Sequence, residues 1–462
     1  MNFSGKIKIS DCDYDYHVEN SEMVIIKSGV DFLRERTNIG WESILNIWLE
    51  VFSDDEYDMH SNCRQKYLML LSYQSTYKGI LRLNVVACIS LTEYSDSVKS
   101  VDIVKQIAIR SKILDMFYWA GKNPAENTKV LSSVFCAEQE NKTQPEKRSL
   151  KFNNKDIILS FNLIVALKYN YCNYAEKFPF DIFVSLNIEC NKGLNPGETL
   201  TLCNFVKAFL SFVSNSREVF IEEILINSNC YMTLEQIEAK GIINYPFGQM
   251  FMAQATDKNN EITRVIPYDF IEKSISSIFD EIVNDRIFFI SLFGYEKNVV
   301  SSVDIMNICA TFENQFNKTF PKFKDDDFKK TKKVIMEKVN ELVDFANINT
   351  EILSEFIDWI SYYKGTLKSK LDYALNVFEK MFEENDEFWK QELEVHGGKD
   401  YKGVPERLKN ARNKLSHGEK PKERQSLYDT YLLRAITYML ILKKANVDDK
   451  TVVECIKALF FK

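Results

Sequence analysis

Polar and apolar residues alternate with period two from Phe3 to Ile9 (F-S-G-K-I-K-I). That alternation predicts a strand with one buried face. Met23 to Lys27, Tyr67 to Leu71 and Gly79 to Leu91 are short runs rich in β-formers, and Val101 to Trp119 continues with V-D-I-V and I-A-I-R before an aromatic cluster at Phe117, Tyr118 and Trp119. Strands resume over Asp156 to Ala166, Phe180 to Cys190 and Val219 to Ile226. One helical interval interrupts them, where Leu202, Phe205, Val206, Phe209, Leu210 and Val213 follow Gly197-Glu198-Thr199. Glu138 to Ser149, polar and containing a proline, reads as a surface loop. These patterns predict a β-sandwich or barrel-like domain with one or two covering helices.

The texture changes after the polar stretch Ala255 to Thr263. Ile271, Ile275, Ile278, Phe279 and Ile282 form one helical stripe, and Ile305, Ile308, Phe312 and Phe316 form another within Val303 to Phe320. Helices are expected over Asp327 to Phe345 (with basic residues on its outer face), Leu353 to Trp359, Leu367 to Phe382, Val404 to His417, Leu427 to Lys444 and Thr451 to Phe461. The fold class is therefore α+β and multidomain. Residues 1–262 form a mainly β N-terminal domain, and residues 263–462 form an all-α helical bundle.

Composition narrows the class of protein. At 462 residues the chain exceeds one ordinary core, and its 45% apolar and 27% charged content suits a globular protein. No apolar run approaches the roughly 18 to 20 residues of a membrane span. The first ten residues lack a signal-peptide core, so a cytoplasmic location without membrane attachment is expected. Ten scattered cysteines without a Cys-x-x-Cys pair point to buried thiols in a reducing compartment, and with four histidines a His-based metal site is not expected. There is no G-x-G-x-x-G, G-K-[ST] or G-x-S-x-G motif, and no cofactor is expected.

The net charge of −7 argues against general polyanion binding, yet residues 402–424 carry eight basic side chains against three acidic ones. Charge alone reads as a solvated helix face. Within that island lies R-L-K-N-A-R-N-K-L-S-H-G, Arg407 to Gly418. Gly418 suits the left-handed residue after a helix, and Pro421 forbids its continuation. Five residues of ideal helix span about 7.5 Å and about 140°, so Arg412 and His417 do not share a face, whereas Asn413 and His417 do; a long arginine side chain or a frayed last turn still permits a shared site without forcing one. His417, at a helix C-terminus beside the negative end of the dipole and close in sequence to Arg412, is a candidate group for general acid–base proton transfer. The Arg412 guanidinium presents a planar fork of donors that fits phosphate oxygens. Together these groups suit RNA cleavage without a metal. The ribose 2′-hydroxyl attacks the adjacent phosphorus, His417 transfers a proton, and Arg412 stabilises the charged transition state.

The string R-N-K-L-S-H-G, entered from an amphipathic helix and followed by a long apolar one, resembles the signature of the HEPN nucleases. The resemblance implies a four- or five-helix bundle with an R-x4-6-H motif, onto which Arg412, Asn413 and His417 map one for one. The segment Ala310 to Phe320 is similar to the first HEPN helix, where an acidic residue such as Glu313 often stands. A mainly β region before such a bundle resembles the ApeA-like anti-phage family. That likeness implies an endoribonuclease that cleaves cellular RNA in abortive infection, with an N-terminal domain that senses a phage-derived trigger or restrains the nuclease. It also implies a homodimer, or a higher oligomer, with a composite site. Lys409 and Lys414 are candidate contacts to the RNA backbone. His396, in V-H-G-G-K-D, is a candidate second histidine, and Tyr428 and Tyr431 are expected to pack more than to stack on bases. The alternative class is a HEPN protein that binds RNA or a nucleotide, or only dimerises, without catalysis.

Overall fold

The computed structural model describes residues 2–9, 12–19, 21–27, 48–52, 63–77, 80–94, 104–120, 147–167, 180–216, 219–227, 248–252, 262, 264–284, 301–323, 325–343, 351, 354–355, 357, 365–383, 403–419 and 423–460. The chain separates into two compact units, residues 1–213 with 218–263 and residues 214–217 with 264–462.

The first unit is antiparallel. Its described strands are β1 (Asn2–Ile9), β2 (Cys12–Glu19), β3 (Glu22–Lys27), β4 (Trp48–Phe52), β5 (Cys63–Tyr77), β6 (Ile80–Tyr94), β7 (Val104–Arg110), β8 (Arg148–Phe152), β9 (Lys155–Leu167), β10 (Phe180–Leu194), β11 (Glu223–Asn227) and β12 (Gly248–Met252). All twelve belong to one hydrogen-bonded sheet, and β6 is its branch point. One edge of β6 pairs with β5 along its whole length. The other edge is shared, Ile80 to Asn84 pairing with β3 and Ala87 to Leu91 with β12. The sandwich expected from the pattern is thus a single branched sheet. A barrel-like curl does occur in the β1-β2-β3-β6-β5-β4 branch, where Phe3 of β1 stacks on Tyr67 of β5 at 3.9 Å between ring centroids. Inward residues of that branch, including Tyr16, Val18, Met23, Ile25, Leu81 and Leu83, form its own core.

The other branch, β12-β11-β7-β10-β9-β8, is covered by helices α1 (Lys112–Trp119) and α2 (Pro196–Ser214). Phe117 of α1 meets Phe161 of β9 and Phe209 of α2 in ring contacts of 5.8 and 5.6 Å. Each such buried aromatic contributes on the order of 1.5–3 kcal/mol. The strand-like reading of I-A-I-R holds in β7, and the aromatic cluster that follows lies in a helix that starts after Ser111. The Ser111 hydroxyl caps α1, accepting from the Ile113 N–H and donating to the Phe220 carbonyl, while Asp115 accepts the Val184 N–H at 2.6 Å. Residues 219–222 likewise precede β11 and do not belong to it. The expected loop from Glu138 lies mostly outside the described residues.

The second unit is helical, with α3 (Tyr268–Ile271), α4 (Ile275–Asn284), α5 (Ser302–Thr319), α6 (Asp326–Val343), α7 (Leu367–Glu383), α8 (Val404–Ser416), α9 (Glu423–Lys444) and α10 (Asp449–Phe460). Together the units make an α+β chain, antiparallel sheet first and helices after. Helix α9 is buried on all sides from Leu432 to Leu442, and among these residues only Arg434 and Thr437 are polar. A helix apolar all round belongs at the centre of a bundle. Against it packs the α5 stripe of Ile305, Ile308, Phe312 and Phe316, and Thr319 donates to the Leu440 carbonyl. Helix α5 starts on a capping box in which Ser301 and Asp304 satisfy each other's N–H groups. Helix α6 differs: Lys329, Lys330, Lys333, Val334 and Ile335 are all exposed and only Val339 is buried among its described side chains. The expected helix at Leu353 to Trp359 falls largely outside the described residues. Among the described residues no helix is long and apolar enough to cross a membrane.

Candidate functional site

Helix α8 begins at Gly403, with Pro405 in its first turn, where a missing N–H costs nothing. Val404, Pro405 and Leu408 anchor its first turns in the core. Its far end is a Schellman turn. Gly418 N–H donates to Leu415 and Glu419 N–H to Lys414, with Gly418 at φ +77°. His417 is therefore the C-cap residue, its N–H shared between the Asn413 and Lys414 carbonyls.

Arg412 and His417 do not meet within the chain. Arg412 turns toward α5, where its Nη1 donates to Glu313 Oε2 at 2.7 Å. His417, Asn413 and Lys414 are exposed, and among the described residues their side chains form no hydrogen bond or ion pair. The stretch thus presents two regions, a partly buried cation and a solvent-facing cluster of imidazole, amide and ammonium.

Glu313 does not face solvent. Its side chain is 14% exposed, and its second oxygen faces Lys370 Nζ of α7 at 3.3 Å. Three helices therefore converge on one carboxylate. Cys309, one turn before Glu313, is buried, and its thiol is pushed up to about 12, chiefly by burial, with Arg412 pulling the other way. A thiol so raised is neutral and acts as an apolar filler.

The other basic residues of the island have structural duties. Arg407 forks onto Asp429 of α9, donating from Nε at 3.0 and 3.1 Å and from Nη2 at 2.8 Å to a carboxylate 3% exposed. Lys409 pairs with Glu406 one turn back at 3.1 Å. Lys368 of α7 holds the other Glu406 oxygen at 3.0 Å. The lysines and their hydrogen bonds hold the Glu406 carboxyl below the usual range. Of the two expected RNA contacts, Lys414 is exposed and Lys409 is engaged with Glu406. Tyr431 packs, its ring against Phe460 and its hydroxyl donating to the Phe460 carbonyl. His396 and the Tyr428 side chain lie outside the described residues.

Lys370, Asp429 and the tie of Arg407 were not expected from the sequence. A signal for Lys370 existed: in L-K-S-K-L-D-Y-A-L it adjoins the stripe Leu367, Leu371, Ala374, Phe378, a place where lysine is costly without a partner. Among the described residues no cluster of three His, Cys, Asp or Glu side chains is placed to hold a metal ion. Comparison with family models, curated proteins and solved structures gives no match.

Proposed function

We propose that the chain is a metal-independent endoribonuclease of the HEPN class that cleaves cellular RNA in anti-phage abortive-infection defence, acting in the cytoplasm. The observation that carries this reading is the end of α8. There an arginine fixed by a buried carboxylate adjoins an exposed Asn413, Lys414 and His417 on a sharply capped turn. His417 is the proton-transfer group, Arg412 the stabiliser of phosphate charge, and Asn413 the polar residue that orients substrate or imidazole. Lys414 contacts the RNA backbone. The 2′-hydroxyl oxygen bonds to phosphorus as the 5′-oxygen leaves and takes up a proton, giving a cyclic phosphate and a 5′-hydroxyl. Since Arg412 and His417 diverge within one chain, a homodimer that sets two copies of α8 face to face completes the site. The β-rich unit senses the trigger or restrains the nuclease.

His417→Ala is the cleaner test, because the imidazole has no described side-chain partner whose loss disturbs the fold. RNA cleavage with EDTA present is expected to fall by about 10²-fold or more in His417→Ala and in Arg412→Ala, with unchanged circular dichroism. Wild-type products should carry cyclic phosphate ends. Full activity in both variants overturns the reading. RNA binding by a wild type that cuts nothing establishes instead the non-catalytic alternative.

A further inference from the structure

Glu313 carries more positive charge than it needs. Arg412 Nη1 lies 2.7 Å from one carboxylate oxygen and Lys370 Nζ 3.3 Å from the other. Among the described residues, two cations on one anion leave an excess of one positive charge in a place where Glu313 and Lys370 are nearly closed off from water. Lysine is seldom buried, because its ammonium loses strong hydration. A single carboxylate is already satisfied by its arginine, so stability alone does not call for Lys370.

The two cations differ in exposure. The Lys370 side chain is 6% exposed and the Arg412 side chain 33%. Lys370 is confined between α7 and α5, whereas Arg412 reaches inward from a helix whose next turn faces solvent. Only Arg412 is placed to turn outward. Were Glu313 held by Arg412 alone, that movement would leave a buried carboxylate unpaired, a strongly unfavourable state. With Lys370 in place the carboxylate keeps a counter-ion, and the 3.3 Å separation leaves room for the ammonium to close.

We propose that Lys370 is a positioning residue, the standing counter-ion of Glu313, which allows Arg412 to be handed from that carboxylate to a phosphodiester of bound RNA. The inference rests on the reading of Arg412 as the phosphate-facing cation. The excess positive charge is then matched when the substrate arrives.

The test has two arms. In the first, binding of a single-stranded RNA oligonucleotide is measured in the His417→Ala background, which keeps the RNA intact. Lys370→Met should weaken binding about tenfold or more, the scale of one lost charge-assisted hydrogen bond. Lys370→Arg should bind like the parent. Glu313→Gln combined with Lys370→Met should recover binding, because the neutral amide no longer retains Arg412. In the second arm, thermal midpoints need no RNA. Arg412→Ala alone should lower the midpoint modestly, and Arg412→Ala with Lys370→Met by more than the sum of the single changes. Adding Glu313→Gln should reverse that loss. Lys370→Met that binds RNA like its parent, or midpoint losses that simply add, overturns the hand-over. If Lys370→Met does not fold, Lys370→Gln takes its place with Glu313 intact, with the same loss of binding expected and parent-like binding overturning the hand-over. Failure of the ribonuclease reading shows separately, in a wild type that leaves RNA uncut.

Discussion

Gly418 sets the direction in which the chain leaves the candidate site. At φ +77° a β-carbon strains the backbone, although an added one would meet no atom within 4 Å. Gly418→Ala is therefore expected to destabilise by about 1–2 kcal/mol through conformation alone. Urea unfolding measures this, and an unchanged midpoint would show that the turn relaxes freely. Asn446 does the same work after α9 at φ +59°, with Val447 N–H donating to Leu442. The two caps differ in legibility. Glycine after an amphipathic helix is a recognised stop, while Asn446 inside K-K-A-N-V-D-D offers a weaker signal. The partner of Arg412 was half legible. Glu313 stood out on the resemblance, but nothing local to either residue says that a carboxylate 99 positions away points inward.

At the scale of elements, the start of α2 shows a local rule and a tertiary tie acting together. Asn195 and Glu198 form a reciprocal cap, each accepting the other's N–H, and Lys155 of β9 reaches Glu198 at 2.6 Å. Burial opposes ionisation of Glu198, but the Lys155 ammonium and the Asn195 N–H outweigh it and hold the carboxyl below the usual range. A carboxyl lowered on folding adds stability that is present above its unfolded value of about 4.3 and lost as pH falls through the folded one. Glu198→Gln should thus lower the urea midpoint of the β-rich unit at pH 7 and lower it less at pH 3. An equal loss at both would rule out the ionic contribution. Helix α1 teaches the opposite lesson. Its sequence K-I-L-D-M-F-Y-W follows strand-like segments and is rich in β-formers, yet Ser111 and Asp115 bind backbone groups on Phe220 and Val184, and the aromatic ring of Phe117 fills the space over β9. Those partners lie far along the chain, so short-range pattern assigned the aromatic cluster no helix.

At the scale of the whole molecule, the helical unit recruits residues 214–217 from far upstream. Asn215, itself at φ +48°, accepts from Nη2 of the fully buried Arg434 at 2.9 Å. Asn215→Ala removes that acceptor and strains the left-handed backbone, and should cost about 2 kcal/mol. Thermal unfolding monitored through the helical signal tests this, with Asn215→Gly expected to lose less of the backbone contribution. A variant as stable as wild type would mean that the other contacts of Arg434 suffice.

Sequence alone determined the change from period two to period 3.6 after the polar stretch near residue 260, and so the α+β class. It determined most strands and helices, because one buried face imposes its period on the residues that supply it. It also marked Arg407 to Gly418 as a capped, basic helix end. Only the tertiary structure decided that β6 shares one edge between two partners, which joins the strands into a branched sheet. Only it sorted the basic island, committing Arg407 to Asp429, Lys409 to Glu406 and Arg412 to Glu313 while leaving Lys414 and His417 in solvent. The reason is physical. Periodicity records which face of an element is buried, whereas the partner of a charge depends on where another element brings an opposite charge into a poorly solvated space.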